Sequence, residues 1–388
     1  MTSKSIYLDN NATTSCDPRV LEKMLPYFSH WYGNPANGFH IQGRKAAKAV
    51  DNAREQVGGL INARLGEILF TAGATESNNL AILGLARMAH AGKRKHIVTS
   101  AVEHKAVLLP CKNLREAGFE VTSLPVDCYG RVSIAAAKEA ISEQTLLVSI
   151  QMANNEIGTL QPIKEIAEIA HAQGALVHSD AAQAVGKIVV DVDLLDVDLL
   201  SVSAHKLYGP KGIGCLYIRG GVRSIPLEPL LYGGGQESDV RAGTSNVPAI
   251  VGFGEACQLA GEAIVTEVQQ LTILRDLFEK ELMQAVPNLK INGRGVKRLS
   301  NTSSLVFSGI DADALLINLP NIMMGTGSAC TSGAIEPSHV LTALGLTRRE
   351  AASTVRASLG RFTTTDEISI AVTCISQALQ YLAENQVG

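Results

Sequence analysis

Residues 67–89, EILFTAGATESNNLAILGLARMA, decide the fold class. A short apolar run over 67–71 meets Gly73-Ala74-Thr75, and a helical pattern of apolar side chains follows over 76–89, which makes a strand, a glycine turn and a helix in a row. Related units surround it: a helical face over 44–57, apolar strands KHIVTS at 95–100 and LLVSIQM at 146–152, ALVHSDAAQAVG at 175–186, DLLSVSAHK at 198–206 and GIGCLYI at 212–218. Short, fully apolar strands alternating with helices predict a mostly parallel sheet covered on both faces. The expectation is one large α/β domain over residues 16–260.

From about residue 261 the texture changes. A long helical pattern, EAIVTEVQQLTILRDLFEKELMQAV, leads through Pro287 into mixed strands and helices. A smaller α+β domain, built from 1–15 plus 261–388, is expected. The total of 388 residues suits two domains better than one, and 46% hydrophobic against 18% charged residues excludes disorder. Lys+Arg of 34 against Asp+Glu of 37 gives a net charge of −3, which argues against a polynucleotide binder. The amino terminus lacks the pattern of an export signal and no later run is long and apolar enough to span a bilayer, so a cytoplasmic protein with no membrane and no direct nucleic-acid partner is expected. Seven cysteines, odd in number and without a CxxC pair, suggest neither a disulfide framework nor a zinc site. Asp191, Asp193, Asp196 and Asp198 resemble part of a calcium loop but lack its glycine and final glutamate; a solvated connector is expected, and no metal.

Signatures of dinucleotide, P-loop and serine-hydrolase chemistry are missing: there is no GxGxxG after a strand, no GxxxxGK[ST] and no GxSxG. Open α/β sheets bind ligands at the carboxyl ends of their strands, and the polar residues Thr75, His104, Asn155, Asp180, Gln183, Ser203, His205 and Lys206 gather at those ends. Gly73-Ala74-Thr75 at a helix start offers backbone N–H groups to an anion, although Thr75 could equally be an N-cap. Ser203 and His205, two residues apart, can face the same anion. Asp180 closes an apolar strand, where a carboxylate needs either a cationic partner or the N–H groups of a following helix. His104 reads as a ring-stacking group or a satisfied core histidine, and Lys206 as a surface residue or an amine for imine chemistry.

Together these eight residues supply what a pyridoxal-phosphate enzyme needs: a phosphate seat, a ring stack, a partner for the pyridine nitrogen and a Schiff-base amine. LDNNATT, YGNPAN, TAGATESNN, EHKAV, ANNEIG, HSDAAQ, SAHKLYGPKGIG, RAGTSN, GSACTSG and VRASLGRF, spread in order over residues 7–362, closely resemble the NifS/IscS-type cysteine desulfurases. These belong to the class V aminotransferase group of fold-type I enzymes. The resemblance implies a large seven-stranded, mostly parallel sheet domain that binds pyridoxal 5'-phosphate, and a small α+β domain carrying a catalytic cysteine loop at about 324–336. It implies that Lys206 holds the cofactor and moves the substrate's Cα proton. Asp180 would pair with the ring nitrogen, and His104 would stack on the ring and assist proton transfers. Ala74, Thr75, Ser203 and His205 would hold the phosphate, while Gln183 and Asn155 would position the cofactor and tune its ring oxygen.

MGTGSACTSG sets Cys330 among Gly325, Gly327 and Gly333, a setting that gives a nucleophile latitude to strike a buried substrate and hand sulfur outward. A helix is expected to begin near Pro337. By the resemblance, Arg356 grips the substrate carboxylate, Asn34 and Asn155 contact the substrate, and Arg361 is structural. Thr244 would cross a homodimer interface to the partner's cofactor phosphate. The activity implied converts L-cysteine to L-alanine, leaves a persulfide on Cys330 and passes sulfur to an acceptor such as an iron–sulfur scaffold or a thiolation enzyme. Selenocysteine lyase or another class V aminotransferase is the alternative. The chain stops at Gly388 without the longer tail with which some members engage a scaffold. The other six cysteines are expected to be structural.

Overall fold

Thirteen strands among the described residues fall into three sheets: β1 (Ile6–Tyr7), β2 (Ile68–Thr71), β3 (His96–Ser100), β4 (Glu120–Leu124), β5 (Thr145–Ser149), β6 (Leu176–Asp180), β7 (Leu199–Ser203), β8 (Gly214–Ile218), β9 (Lys290–Asn292), β10 (Thr302–Val306), β11 (Ile322–Met323), β12 (Gly325–Thr326) and β13 (Thr354–Ser358). The computed structural model describes residues 5–89, 92, 94–326 and 337–385. Seven strands form the large sheet in the order β2-β8-β7-β6-β5-β3-β4. From β7 across to β4 the neighbours are parallel, whereas β8 runs antiparallel to both β7 and β2. The exception has a length cause, because residues 204–213 between β7 and β8 are too few for the helical crossover that a parallel neighbour requires. Every residue of β2, β3, β7 and β8 is buried, which is why these strands read as unbroken apolar runs rather than alternating ones.

The helix predicted over 76–89 begins at Ala74 and continues to Met88, passing through a wider turn at Leu80–Gly84. Its N-cap is Gly73, so Thr75 is not the capping residue but lies inside the first turn. The 44–57 pattern is the middle of a helix, Ile41–Ile61, which ends where Asn62 adopts a left-handed conformation. Edge strand β4 has only one buried residue and lacks the apolar run that marks the inner strands.

Four antiparallel strands make a second sheet, β12-β13-β10-β9, and β1 pairs in parallel with β11. The helix Val247–Ala285 runs unbroken past residue 261. Its first half places Ile250, Phe253 and Cys257 in the apolar cluster below the large sheet, and its second half places Leu274, Phe278 and Leu282 in a cluster with Ile6, Leu305, Val355 and Ile375. Removing one such aromatic or leucine side chain from water is worth about 1.5–3 kcal/mol, so each half of the helix is held by its own core. The change of texture at 261 is therefore a change of packing partner along one rod. Among the described residues no helix is long and apolar enough to cross a membrane.

Candidate active site

The carboxyl ends of β6 and β7 bring Asp180, Ser203, His205 and Lys206 to one edge of the sheet. Asp180 is buried and its two oxygens are fixed separately: the Asn78 side-chain amide donates to one at 2.6 Å, and the backbone N–H of Ala182 donates to the other at 3.0 Å. Asp180 thus orders the chain that follows it, and both partners of its side chain are neutral donors. Beneath it His178 bridges Ser149 at 2.8 Å and Ser201 at 2.9 Å, and burial pushes its pKa down to about 4, so the layer under the carboxylate is uncharged at neutral pH.

Lys206 ends the short turn Ala204–Lys206, half-buried, and its ammonium donates to the carbonyls of Asn11 and Ala12, the latter at 2.7 Å. Asn11 organises this corner. Its carbonyl also accepts from the Gln183 amide at 2.8 Å, its side-chain oxygen accepts from Lys187 at 3.0 Å, and its side-chain amide donates to Thr302 at 2.8 Å and to the Asn155 carbonyl at 3.2 Å. Lys187 is fully enclosed and also donates to the Gln183 side-chain oxygen; burial, followed by the charge of Lys206, lowers its pKa well below the usual lysine value. His205 meets the Thr13 hydroxyl at 3.1 Å, and burial followed by the charge of Lys206 lowers its pKa to about 4.

The ends of three strands meet at Gly73, Ser203 and Gly214. Gly73 has φ of 145°, a conformation that side chains beyond glycine rarely adopt, and a Cβ built there would lie 3.7 Å from the Ser203 hydroxyl. Gly214 pairs with both Ser203 and Thr71, and a Cβ on it would come within 2.7 Å of the Gly73 Cα. Gly73, Ala74 and Thr75 therefore present helix-start N–H groups beside Ser203, with Thr75 exposed.

His104 caps the helix Lys105–Glu116, its Nδ1 accepting from the Ala106 N–H at 3.1 Å. The neighbouring Glu103 is enclosed, bonded by Ser100 and the Gln151 N–H, and burial raises its pKa to about 8. Arg356 sits in mid-strand on β13, opposite Ser304 on one side and Gly325 on the other. It is 4% exposed; one terminal nitrogen donates to Asp9 at 2.6 Å, the other donates to the Asn155 carbonyl at 3.1 Å, and its Nε is buried without a partner. A Cβ on Gly325 would come within 3.1 Å of both the Arg356 guanidinium and the Asp9 carboxylate, so only a glycine lets the strand pass this pair without displacing it.

Asn34 and Thr244 are exposed; Asn34 closes a turn by accepting from the Ala36 N–H at 2.9 Å. Cys330 lies outside the described residues. The chain leaves them after Thr326, next to Arg356, and re-enters at Pro337, where Ser338 donates to Glu156 at 2.6 Å and caps the helix His339–Ala343. His339 bonds the Glu103 carbonyl at 2.8 Å, beside His104. Pro337 thus precedes the capping residue instead of occupying the first helical turn, because the serine oxygen takes the cap. Cys111, Cys215 and Cys257 are buried, with burial raising each thiol's pKa, that of Cys111 to about 12, and Cys16 is shifted upward as well. Cys128 is exposed and Cys374 half-buried. Arg361 pairs with Asp17 and Glu267, both at 2.9 Å, and covers the Tyr208 ring. The acidic stretch is occupied internally: Asp191 caps Val192–Leu195, and Asp196 and Asp198 pair with His171 and Arg219.

Sequence reasoning passed over Asp9, Asn11, Asn78 and Lys187. The signal for the first two was the polar run Asp9-Asn10-Asn11 directly after an apolar strand, a composition that needs many partners if buried.

The donor set fits pyridoxal phosphate. A glycine cradle with helix-start N–H groups and a hydroxyl suits the phosphate, a carboxylate held by neutral donors suits a protonated ring nitrogen, and the half-buried Lys206 amine follows Ser203 by three residues. The orphaned Arg356 Nε and the orphaned Asn78 side-chain oxygen are buried polar atoms at this site that await a partner.

Residues 6–370 match the family model described as aminotransferase class V. The chain is 45% identical over 383 residues to the mitochondrial cysteine desulfurase of Arthroderma benhamiae, covering 98% of this chain and 76% of that protein. It is 42% identical over 379 residues to the cysteine desulfurase IscS of Rickettsia africae, covering 98% and 92%. Among solved structures, a NifS-like protein superposes with a TM-score of 0.90 at 38% identity, covering 97% of this chain and all 100% of that one. SspA in complex with cysteine superposes at 0.82 with 40% identity, covering 93% and 100%.

Proposed function

Since the chain belongs to the class V aminotransferase family, in its cysteine desulfurase branch, we propose that it converts L-cysteine to L-alanine and keeps the sulfur as a persulfide on Cys330. The observation that carries this reading is Arg356: a buried guanidinium, tied on one side to Asp9 and on the other to Asn155, with an unpartnered Nε, directly beside the strand that leads to Cys330. A planar guanidinium so placed can take the carboxylate of an amino acid and fix which way its side chain points.

Pyridoxal phosphate, when bound, supplies an electron sink that makes the Cα–H acidic and the Cβ–S bond breakable. The chain's own residues do the rest. With the cofactor bound, Asp180 would hold a proton on the ring nitrogen; Gly73, Ala74, Thr75, Ser203 and His205 would seat the phosphate; Asn155 and Gln183 would position the cofactor; His104 would lie against the ring and assist proton transfer. Lys206 would tether the cofactor and carry the Cα proton. Low-pKa His205 stays neutral and can accept or donate without adding charge near the lysine. The Cys330 thiolate attacks the substrate sulfur: a sulfur–sulfur bond forms, the carbon–sulfur bond breaks, and the carbon fragment leaves with the electron pair, takes a proton and becomes alanine.

Asn34 assists the substrate, and exposed Thr244, just ahead of the helix Val247–Ala285, reaches the cofactor phosphate of a second copy in a homodimer. The large cofactor-binding domain is 16–260 and the small one 1–15 plus 261–388. In the cytoplasm the persulfide serves a sulfur acceptor, an iron–sulfur scaffold or a thiolation enzyme. Cys330→Ser should keep the cofactor's absorbance and release no sulfide from L-cysteine with a thiol reductant present; continued release would remove Cys330 from the role. Lys206→Ala should abolish borohydride fixation of the cofactor, and persistent fixation would place the tether elsewhere.

A further inference from the structure

Behind the catalytic cluster, between the second half of the helix Val247–Ala285 and the 294–300 connector, lies a cavity of about 680 Å³. That volume lies in the range of small-molecule sites, roughly 300–1,000 Å³. Six basic side chains line it against two acidic ones, and both acids are already matched: Glu279 pairs with Arg298 at 2.6 Å and Asp276 with Arg275 at 2.7 Å. Among the described residues the ammonium groups of Lys280 and Lys297 have no ion-pair or hydrogen-bond partner, which leaves the lining with surplus positive charge. Ser300 also lines the cavity, but it is 4% exposed and its hydroxyl is closed off from the open space, so the polar groups available to an occupant are the basic side chains. Ile188, Val268 and Val296 make the remaining wall apolar. Lys187 separates the cavity from Gln183 and Asn11, so this is a second compartment and not an annex of the cofactor seat.

We propose that this cavity binds a phosphorylated organic anion of nucleotide size, its phosphates on Lys280 and Lys297 and its apolar body against Ile188, Val268 and Val296. The inference does not depend on the desulfurase reading.

Calorimetric titration of the cofactor-loaded protein, whose own phosphate seat is filled, with ADP and with inorganic pyrophosphate tests it. One saturable ADP site per chain is expected with a dissociation constant below ~1 mM, and pyrophosphate should bind more weakly. Lys280→Ala with Lys297→Ala should weaken ADP about tenfold or more, with circular dichroism unchanged. Absence of saturable ADP binding would overturn the proposal. So would ADP affinity unaltered in the folded double lysine variant, and pyrophosphate binding as tightly as ADP would overturn the organic part of the ligand.

Discussion

The two main sheets carry their chemistry in different places. In the seven-stranded sheet the groups proposed to work, Asp180, Ser203 and Lys206, appear where strands β6 and β7 stop, while the polar side chains within the strands, such as His178 and Ser201, bond one another. In the four-stranded sheet the group proposed to work, Arg356, lies in the middle of β13, and the strand facing it, β10, is itself rich in buried hydroxyls: Thr302, Ser303 and Ser304. A strand end can reach water and ligand without breaking its ladder. A mid-strand arginine must be paired within the protein, and Asp9, Asn155 and Gly325 do that here. The first sheet therefore tolerates changes at its ends, whereas the second couples site and stability.

The largest test of that contrast is Arg356→Ala. Removing one member of a buried charged pair leaves Asp9 uncompensated and costs about 3–5 kcal/mol; kcat/KM for L-cysteine should fall by ~10³ while the cofactor's absorbance is kept. A fall of less than about tenfold would mean that Arg356 is only a strut.

Next in size is the response to pH. Burial raises Glu103 to about 8 and Glu156 to about 7 from the ordinary 4.5, so their contribution to stability is complete below about 4.5 and is lost as pH rises through 7 to 8. Burial lowers His178 and His205 to about 4 from 6.5, so theirs is present above 6.5 and is lost as pH falls toward 4. The two gradients oppose each other between about 4.5 and 6.5 and leave a net decline from about 6.5 to 8. Melting temperatures at pH 6 and pH 8 should show that decline, and Glu156→Gln should make it shallower; an equal slope in the variant would sink the assignment.

Ser338→Ala removes both a helix cap and the partner of Glu156. It should cost about 1–2 kcal/mol in denaturant unfolding, and an unchanged midpoint would show that this anchor carries no load. The smallest effect expected is that of Gly325→Ala. The added Cβ would touch the Arg356 and Asp9 side chains at 3.1 Å, so KM for L-cysteine should rise severalfold and stability should fall by about 1 kcal/mol. Unchanged KM would show that Arg356 has more freedom than its burial implies.

The strand-end residues of the large sheet were legible because each follows an apolar run that stops at a polar side chain, and the parallel order follows from the alternation with helices. Arg356 was legible only through resemblance, since a buried arginine inside TVRAS breaks the apolar pattern of a strand and points to no chemistry by itself. Asn11, Asn78 and Lys187 escaped because their work is to hold other site residues, over sequence separations of 102 residues for Asn78 to Asp180 and 176 for Lys187 to Asn11. Periodicity cannot register such distances. The helix Val247–Ala285 was read from its second half because its first half packs against small residues of Ile41–Ile61, such as Ala53, and lacks a sharp apolar stripe.

The most direct test of sulfur transfer to Cys330 is to incubate the cofactor-loaded protein with L-cysteine carrying a heavy sulfur isotope, without reductant, then alkylate, digest and weigh the peptides. The peptide containing Cys330 should gain one heavy sulfur atom for each alanine formed in the first turnover. Alanine formed with no label on that peptide, or with the label on another cysteine, would contradict the account.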